Sequence, residues 1–102
     1  MKKTTKQVEF LNKYDKDSPN LEERELWLRA KIALQCILLR KNKGMSQTDV
    51  ANKMGITFQQ VAKFEGMNNT PTLLFLVKYA MALDTNFDVI LNGVDISDFI
   101  KS

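Results

Sequence analysis

Phe58, Gln59, Gln60 and Lys63 fall at positions that a helix would turn away from its apolar neighbours Val61, Ala62 and Phe64. Two amides that both donate and accept, with one ammonium that donates, are groups for hydrogen-bonded recognition rather than for breaking bonds. Nothing else in the chain offers stronger chemistry. There is no histidine, which excludes imidazole metal sites and nucleophile–histidine catalysis, and the single Cys36 can make neither an intramolecular disulfide nor a zinc cluster. Lying among Ile32, Ala33, Ile37 and Leu39, Cys36 reads as a small core residue, with a reactive thiol as the lesser alternative. No enzyme activity, metal or cofactor is expected.

The elements that must present those four residues are legible from Ser46 to Phe64, SQTDVANKMGITFQQVAKF. Ser46 is a good N-cap and Asp49 puts a carboxylate in the first turn, where the helix dipole favours it, so a helix starts at Gln47. Val50, Ala51 and Met54 give it one apolar face, and Gly55 follows where a left-handed residue ends the helix. Thr57 caps a second helix with Val61, Ala62 and Phe64 inward. Ala51 is small where a second helix crossing the first needs close approach, so a large residue there is excluded. This is the geometry of a helix-turn-helix, and it points to DNA.

The segment from Arg40 to Leu83 resembles the XRE family of helix-turn-helix regulators, which includes the phage lambda repressor and its Cro relatives. Gln47, Val50, Ala51, Gly55, Thr57, Val61 and Glu65 stand at the family's spacing, followed by Pro71, Leu73, Leu74 and the stretch KYAMAL. The resemblance implies double-stranded DNA as partner, with the second motif helix in the major groove. Position by position, Gln59 and Gln60 would make bidentate amide contacts to adenine, Lys63 would reach a guanine or a phosphate, and Phe58 would pack on a thymine methyl. Gln47 and Thr57, at helix N-termini, are candidates for phosphate oxygens, with Asn69 and Thr70 in the following loop as weaker ones. Arg40 and Glu65 occupy the positions of an ion pair tying the first family helix to the end of the recognition helix; loss of one partner would cost on the order of 3 kcal/mol. One departure is EGMNN, where many members carry Glu-Asn-Gly: Gly66 cannot supply that asparagine's phosphate contact.

Charge is distributed to match. The chain of 102 residues carries a net +3, and the local balances are +1 over residues 1–24, +4 over 25–66 and −2 over 67–102, so positive charge concentrates on the motif. At 44% apolar content the chain is globular and one small domain is expected. We expect an all-α, five-helix lambda-repressor-like fold, with an N-terminal extension at residues 1–20, the DNA-binding domain at 21–85 and a tail at 86–102. Lys2 to Tyr14 forms a short helix with Val8, Leu11 and Tyr14 on one side. Asn20 and Glu23 resemble a capping box opening a helix from Leu21 to Lys41, whose stripe of Leu28, Ile32, Cys36 and Leu39 is widened by Trp27, Leu34, Ile37 and Leu38. Thr72 caps a last helix from Leu73 to Leu83 with Leu73, Leu76, Val77 and Ala80 inward.

The tail from Asn86 to Asn92 alternates Phe87, Val89 and Leu91 against Asp88, Ile90 and Asn92, the period of a strand, although a short helix also fits. A lone strand needs a partner, which implies a homodimer or a bound protein. The overall layout resembles the HigA-type antitoxins, which implies a repressor of its own operon with a RelE-like or HigB-like toxin as partner. Two alternatives stand beside it: a free-standing phage-type or chromosomal repressor, and a protein-interaction module that does not bind DNA. No apolar run approaches a membrane span and the N-terminus has no signal-peptide stretch, so a cytoplasmic protein is expected.

Overall fold

The computed structural model describes residues 5–88, 91 and 93–100. Among them are five α-helices, α1 (Thr5–Lys13), α2 (Leu21–Asn42), α3 (Gln47–Met54), α4 (Phe58–Glu65) and α5 (Leu73–Ala82), with one 3-10 turn at Ser97–Phe99. Side chains begin the last four helices: oxygens of Asn20, Ser46, Thr57 and Thr72 accept from the backbone N–H three residues on. For α3 and α4 the cap is reciprocal, because Asp49 and Gln60 each accept in return from the capping residue's own N–H. At α2 it is not. Glu23 accepts instead from the hydroxyl of Ser18 at 2.9 Å, and that hydroxyl oxygen takes the N–H of Asn20 at 3.0 Å.

Each of these four helices also ends the same way, with a left-handed residue whose successor's N–H returns to a carbonyl five residues earlier. The returning bonds run from Met45 to Arg40, Ile56 to Ala51, Asn68 to Lys63 and Thr85 to Ala80, at 2.9–3.1 Å. Gly55 takes the left-handed place after α3 with φ 72°, and a Cβ there would meet nothing within 4 Å, so its demand is conformational rather than spatial. After α4 the left-handed place falls to Met67, φ 61°, while Gly66 beside it sits at φ −82°, a value any residue adopts.

The main core joins Val50 and Ala51 of α3, Val61 and Phe64 of α4, and Leu76, Tyr79 and Leu83 of the α5 region, with Ile32, Cys36 and Leu39 of α2 against them. A smaller cluster sets Ala30, Ala33 and Met67 under Phe10 and Leu11 of α1. Helix α2 therefore has neighbours on two sides, which is why its expected single stripe is displaced: Leu28 and Leu38 are exposed, while Ala30, Ala33, Ile37 and Arg40 are buried. On α1 the inward residues are Gln7, Phe10 and Leu11, and Val8 is exposed. On α5, Leu73 and Val77 lie exposed and Tyr79 takes the inward place, because its ring packs 5.3 Å from that of Phe64. That helix is apolar nearly all round, so spacing alone could not choose its buried face.

The strand expected over Asn86–Asn92 is absent among the described residues; Val89, Ile90 and Asn92 lie outside them. A strand without a neighbour leaves its backbone groups unpaired, and Phe87 packs back against the core instead. Ala51 is only 2% exposed at the contact of α3 with the core. Replacing it by Leu is expected to lower unfolding free energy by about 1–3 kcal/mol through overpacking. An unchanged urea midpoint would mean that the helix contact has room to spare.

Candidate nucleic-acid interface

Helix α4 is two turns long and divides cleanly. Val61, Phe64 and Glu65 face inward and are buried; Gln59 and Lys63, one turn apart, are exposed with no partner for their side chains among the described residues, and Phe58 shows 45% of its surface. Gln60 is different. Its Oε1 accepts the N–H of Thr57 at 3.0 Å as the return half of the capping box, so the acceptor half of that amide is engaged by the helix itself. Thr57 closes the other half of the same box through its Oγ1. Of the two amides, Gln59 has both its donor and its acceptor free among the described residues.

What holds α4 in place is the carboxylate of Glu65, buried at 3% exposure opposite Arg40 at 7%. Arg40 Nε donates to Oε2 at 2.7 Å and Nη2 to Oε1 at 2.8 Å, a two-pronged salt bridge, while Nη1 donates to the carbonyl of Met45 at 2.9 Å. Gln47, placed by sequence as a phosphate contact, donates its Nε2 to Oε1 at 3.0 Å, and the hydroxyl of Tyr79 donates to Oε2 at 2.7 Å. One carboxylate thus joins α2, α3, α4 and α5. Burial pushes the Glu65 carboxyl up, but the hydrogen bonds from Arg40, Tyr79 and Gln47 outweigh it and hold the group below the usual carboxylate range. Burial, then the neighbouring Glu65 charge, push the Cys36 thiol up to about 12, which keeps it an inert core thiol. Burial, then its hydrogen bond to Glu65 and that carboxylate's charge, raise Tyr79, so it stays a donor.

Tyr79 and α1 are the participants that spacing did not single out. Tyr79 had a faint signal, since a buried tyrosine needs a partner for its hydroxyl. Lys6 and Gln7 had none: Lys6 Nζ donates to the carbonyl of Gly66 at 2.7 Å and Gln7 Nε2 to that of Glu65. Gly66 suits this crowded end, because a Cβ there would lie 3.0 Å from Asn68 Nδ2 and 3.1 Å from the Ala62 carbonyl. Asn69 and Thr70 sit in the exposed loop that follows, where Arg29 of α2 donates to the Asn69 carbonyl at 3.1 Å, and they line a cavity of about 140 Å³. An open cleft of about 660 Å³ lies beside the Glu65 network, edged by Lys6, Lys41, Ser46 and Gln47. Among the described residues no His, Cys, Asp and Glu side chains gather as metal ligands, and no helix is long and apolar enough to cross a membrane.

Two capped helices joined by Gly55-Ile56-Thr57, the second anchored on one face and open on the other, define a helix-turn-helix regulator of the DNA-binding class. The helix-turn-helix family's sequence profile matches residues 38–90, just over half of the chain, and the chain belongs to that family, in its XRE branch. The chain is also similar to Antitoxin HigA1 of Mycobacterium tuberculosis, from strain CDC 1551 / Oshkosh and from strain ATCC 25618 / H37Rv, at 40% identity over 55 residues in each case. The similarity takes in 54% of this chain and 37% of the relative, so the chain spans little more than a third of the length of the curated relatives it matches. No solved structure matches the chain.

Glu65 holds its charge more strongly folded than unfolded, so the native state binds fewer protons. Its contribution is full at neutral pH and is lost as pH falls below about 4.3, the ordinary glutamate value, and on through the lowered one. Arg40→Ala is expected to destabilise the fold by about 3–5 kcal/mol at pH 7 by leaving that carboxylate unpaired. The penalty should shrink in acid, where the carboxylate left unpaired in the variant takes up a proton; urea unfolding at pH 7 and pH 3.5 reads both, and a penalty independent of pH would refute the assignment.

Proposed function

We propose that the protein is a sequence-specific DNA-binding repressor, the antitoxin and autorepressor of a type II toxin–antitoxin operon. The observation that carries the DNA reading is the pair Gln59 and Lys63, exposed and unengaged on a short helix whose other face is fixed by a buried salt bridge. In the major groove, the Gln59 amide meets adenine N6 and N7 in two-pronged fashion, Lys63 meets guanine or a phosphate, and the Phe58 ring covers a thymine methyl. Gln60 takes a lesser part, with only its Nε2 free to donate.

Phosphates hold the register. Thr57 and, through its backbone N–H, Gln47 stand at the starts of α4 and α3, Asn69 and Thr70 follow α4, and the open cleft with Lys41 beside Ser46 suits the flanking backbone. Reading two half-sites calls for two copies, and the exposed Leu73, Leu74, Val77 and Met81 of α5 support a homodimer. The similarity to an antitoxin supports the operon role, with a RelE-like or HigB-like toxin as partner.

Gln59→Ala is expected to weaken binding to the DNA upstream of the protein's own gene by about 1–3 kcal/mol while sparing binding to random duplex. Gln60→Ala should act differently, lowering thermal stability through the lost cap by about 1 kcal/mol. Anisotropy titrations at several salt concentrations separate the two, and equal loss on every duplex in the Gln59 variant would refute base reading. For the antitoxin role, the product of the adjacent gene should arrest growth when expressed alone and be relieved by this protein. Absence of arrest would exclude it.

A further inference from the structure

We infer that α1 is a positioning element for the recognition helix α4, with Gln7 and Lys6 acting by holding the backbone at its C-terminal end; this rests on the reading of α4 as the DNA-contacting helix. A helix of eight residues has almost no interior, since four N–H groups at its start and four carbonyls at its end lack partners within it. Two turns do not hold themselves in a fixed direction. At its start α4 is self-sufficient, because Thr57 and Gln60 complete their own box. At its end it depends on residues 58 and 60 positions away: Gln7 Nε2 donates to the Glu65 carbonyl and Lys6 Nζ to that of Gly66.

Glu65 is therefore gripped twice, by α2 through its side chain and by α1 through its backbone. The next turn depends on α1 as well. Met67 adopts φ 61°, a left-handed backbone that strains a methionine, and its side chain is buried between Ala30 and Ala33 of α2 and Phe10 and Leu11 of α1. Departure of α1 would uncover that side chain and release both carbonyls at once.

Gln7 is not there for packing. It is buried, yet its Oε1 has no hydrogen-bond partner among the described residues, and an apolar residue would fill the place without stranding an oxygen. What the position supplies is the Nε2 donor to α4. Buried, with its Nε2 committed to the Glu65 carbonyl, Gln7 also acts without meeting phosphate, so its effect on DNA binding passes through the helix it holds.

Gln7→Leu in the full chain is the test, because it keeps the volume while removing the donor and the stranded oxygen together. Thermal stability should hardly change. Amide exchange at Met67 and Asn68 should accelerate about tenfold, the equivalent of one buried hydrogen bond, with Val50 and Ala51 in α3 unaffected. The ratio of affinities for the duplex that the native protein selects from a random pool and for an unselected duplex of equal length should fall roughly three- to tenfold, by loss on the selected one. Lys6→Met should move both readouts in the same direction and Lys6→Arg, which keeps a donor, should restore them. Unchanged exchange or an unchanged ratio in Gln7→Leu overturns the inference. A native protein that selects no duplex overturns the assignment of α4 itself, which the exchange measurement, needing no DNA, keeps distinct.

Discussion

The buried carboxylate of Glu65 is the interaction on which the rest of the structure depends. A charge at 3% exposure is tolerable only when every lone pair is met, and here each oxygen accepts two bonds: Oε1 from Arg40 and Gln47, Oε2 from Arg40 and Tyr79. Because the donors come from α2, α3 and α5, satisfying the charge and arranging the helices are one event. Apolar contacts among Val50, Val61, Phe64 and Leu83 supply most of the driving force, but they are non-directional. The carboxylate chooses among the packings they would allow.

That choice matters because α3 and α4 are eight residues each, too short to persist alone. Their independence is limited to their ends, where side-chain caps and left-handed residues close the backbone. A helix of two turns keeps one direction only if its inner face is immobilised. The outer face then differs residue by residue: Gln59 is free, Gln60 is half engaged in its own helix cap, and Phe58 is partly covered. Two adjacent residues of one type thus differ in what their amides have left to offer.

The local chemistry was legible in the residues. Ser46 with Asp49 and Gly55 placed both ends of α3, and Thr57 the start of α4, because caps and left-handed turns are decided by neighbours within four positions. The inward set of Val50, Ala51, Val61 and Phe64 was equally plain. Legibility failed where an element touches more than one neighbour or is apolar all round. Leu28 and Leu38 on α2 and Leu73 and Val77 on α5 were expected inside and lie exposed, since periodicity identifies a stripe but not how many partners compete for it. The strand pattern at Phe87 likewise had no partner to pair with among the described residues, and the ring packed on the core.

The sequence by itself determined the two capped helices, the turn between them, and which side chains of α4 point away from the core, because short-range sterics and hydrogen bonding depend on covalent neighbours. Tertiary structure alone decided that Gln47 turns inward to Glu65, that Tyr79 completes the carboxylate's shell, and that Gln7 and Lys6 reach the far end of α4. Those bonds span 14 to 60 positions. No local pattern records them, because the partner's place exists only once the chain has closed around a buried charge.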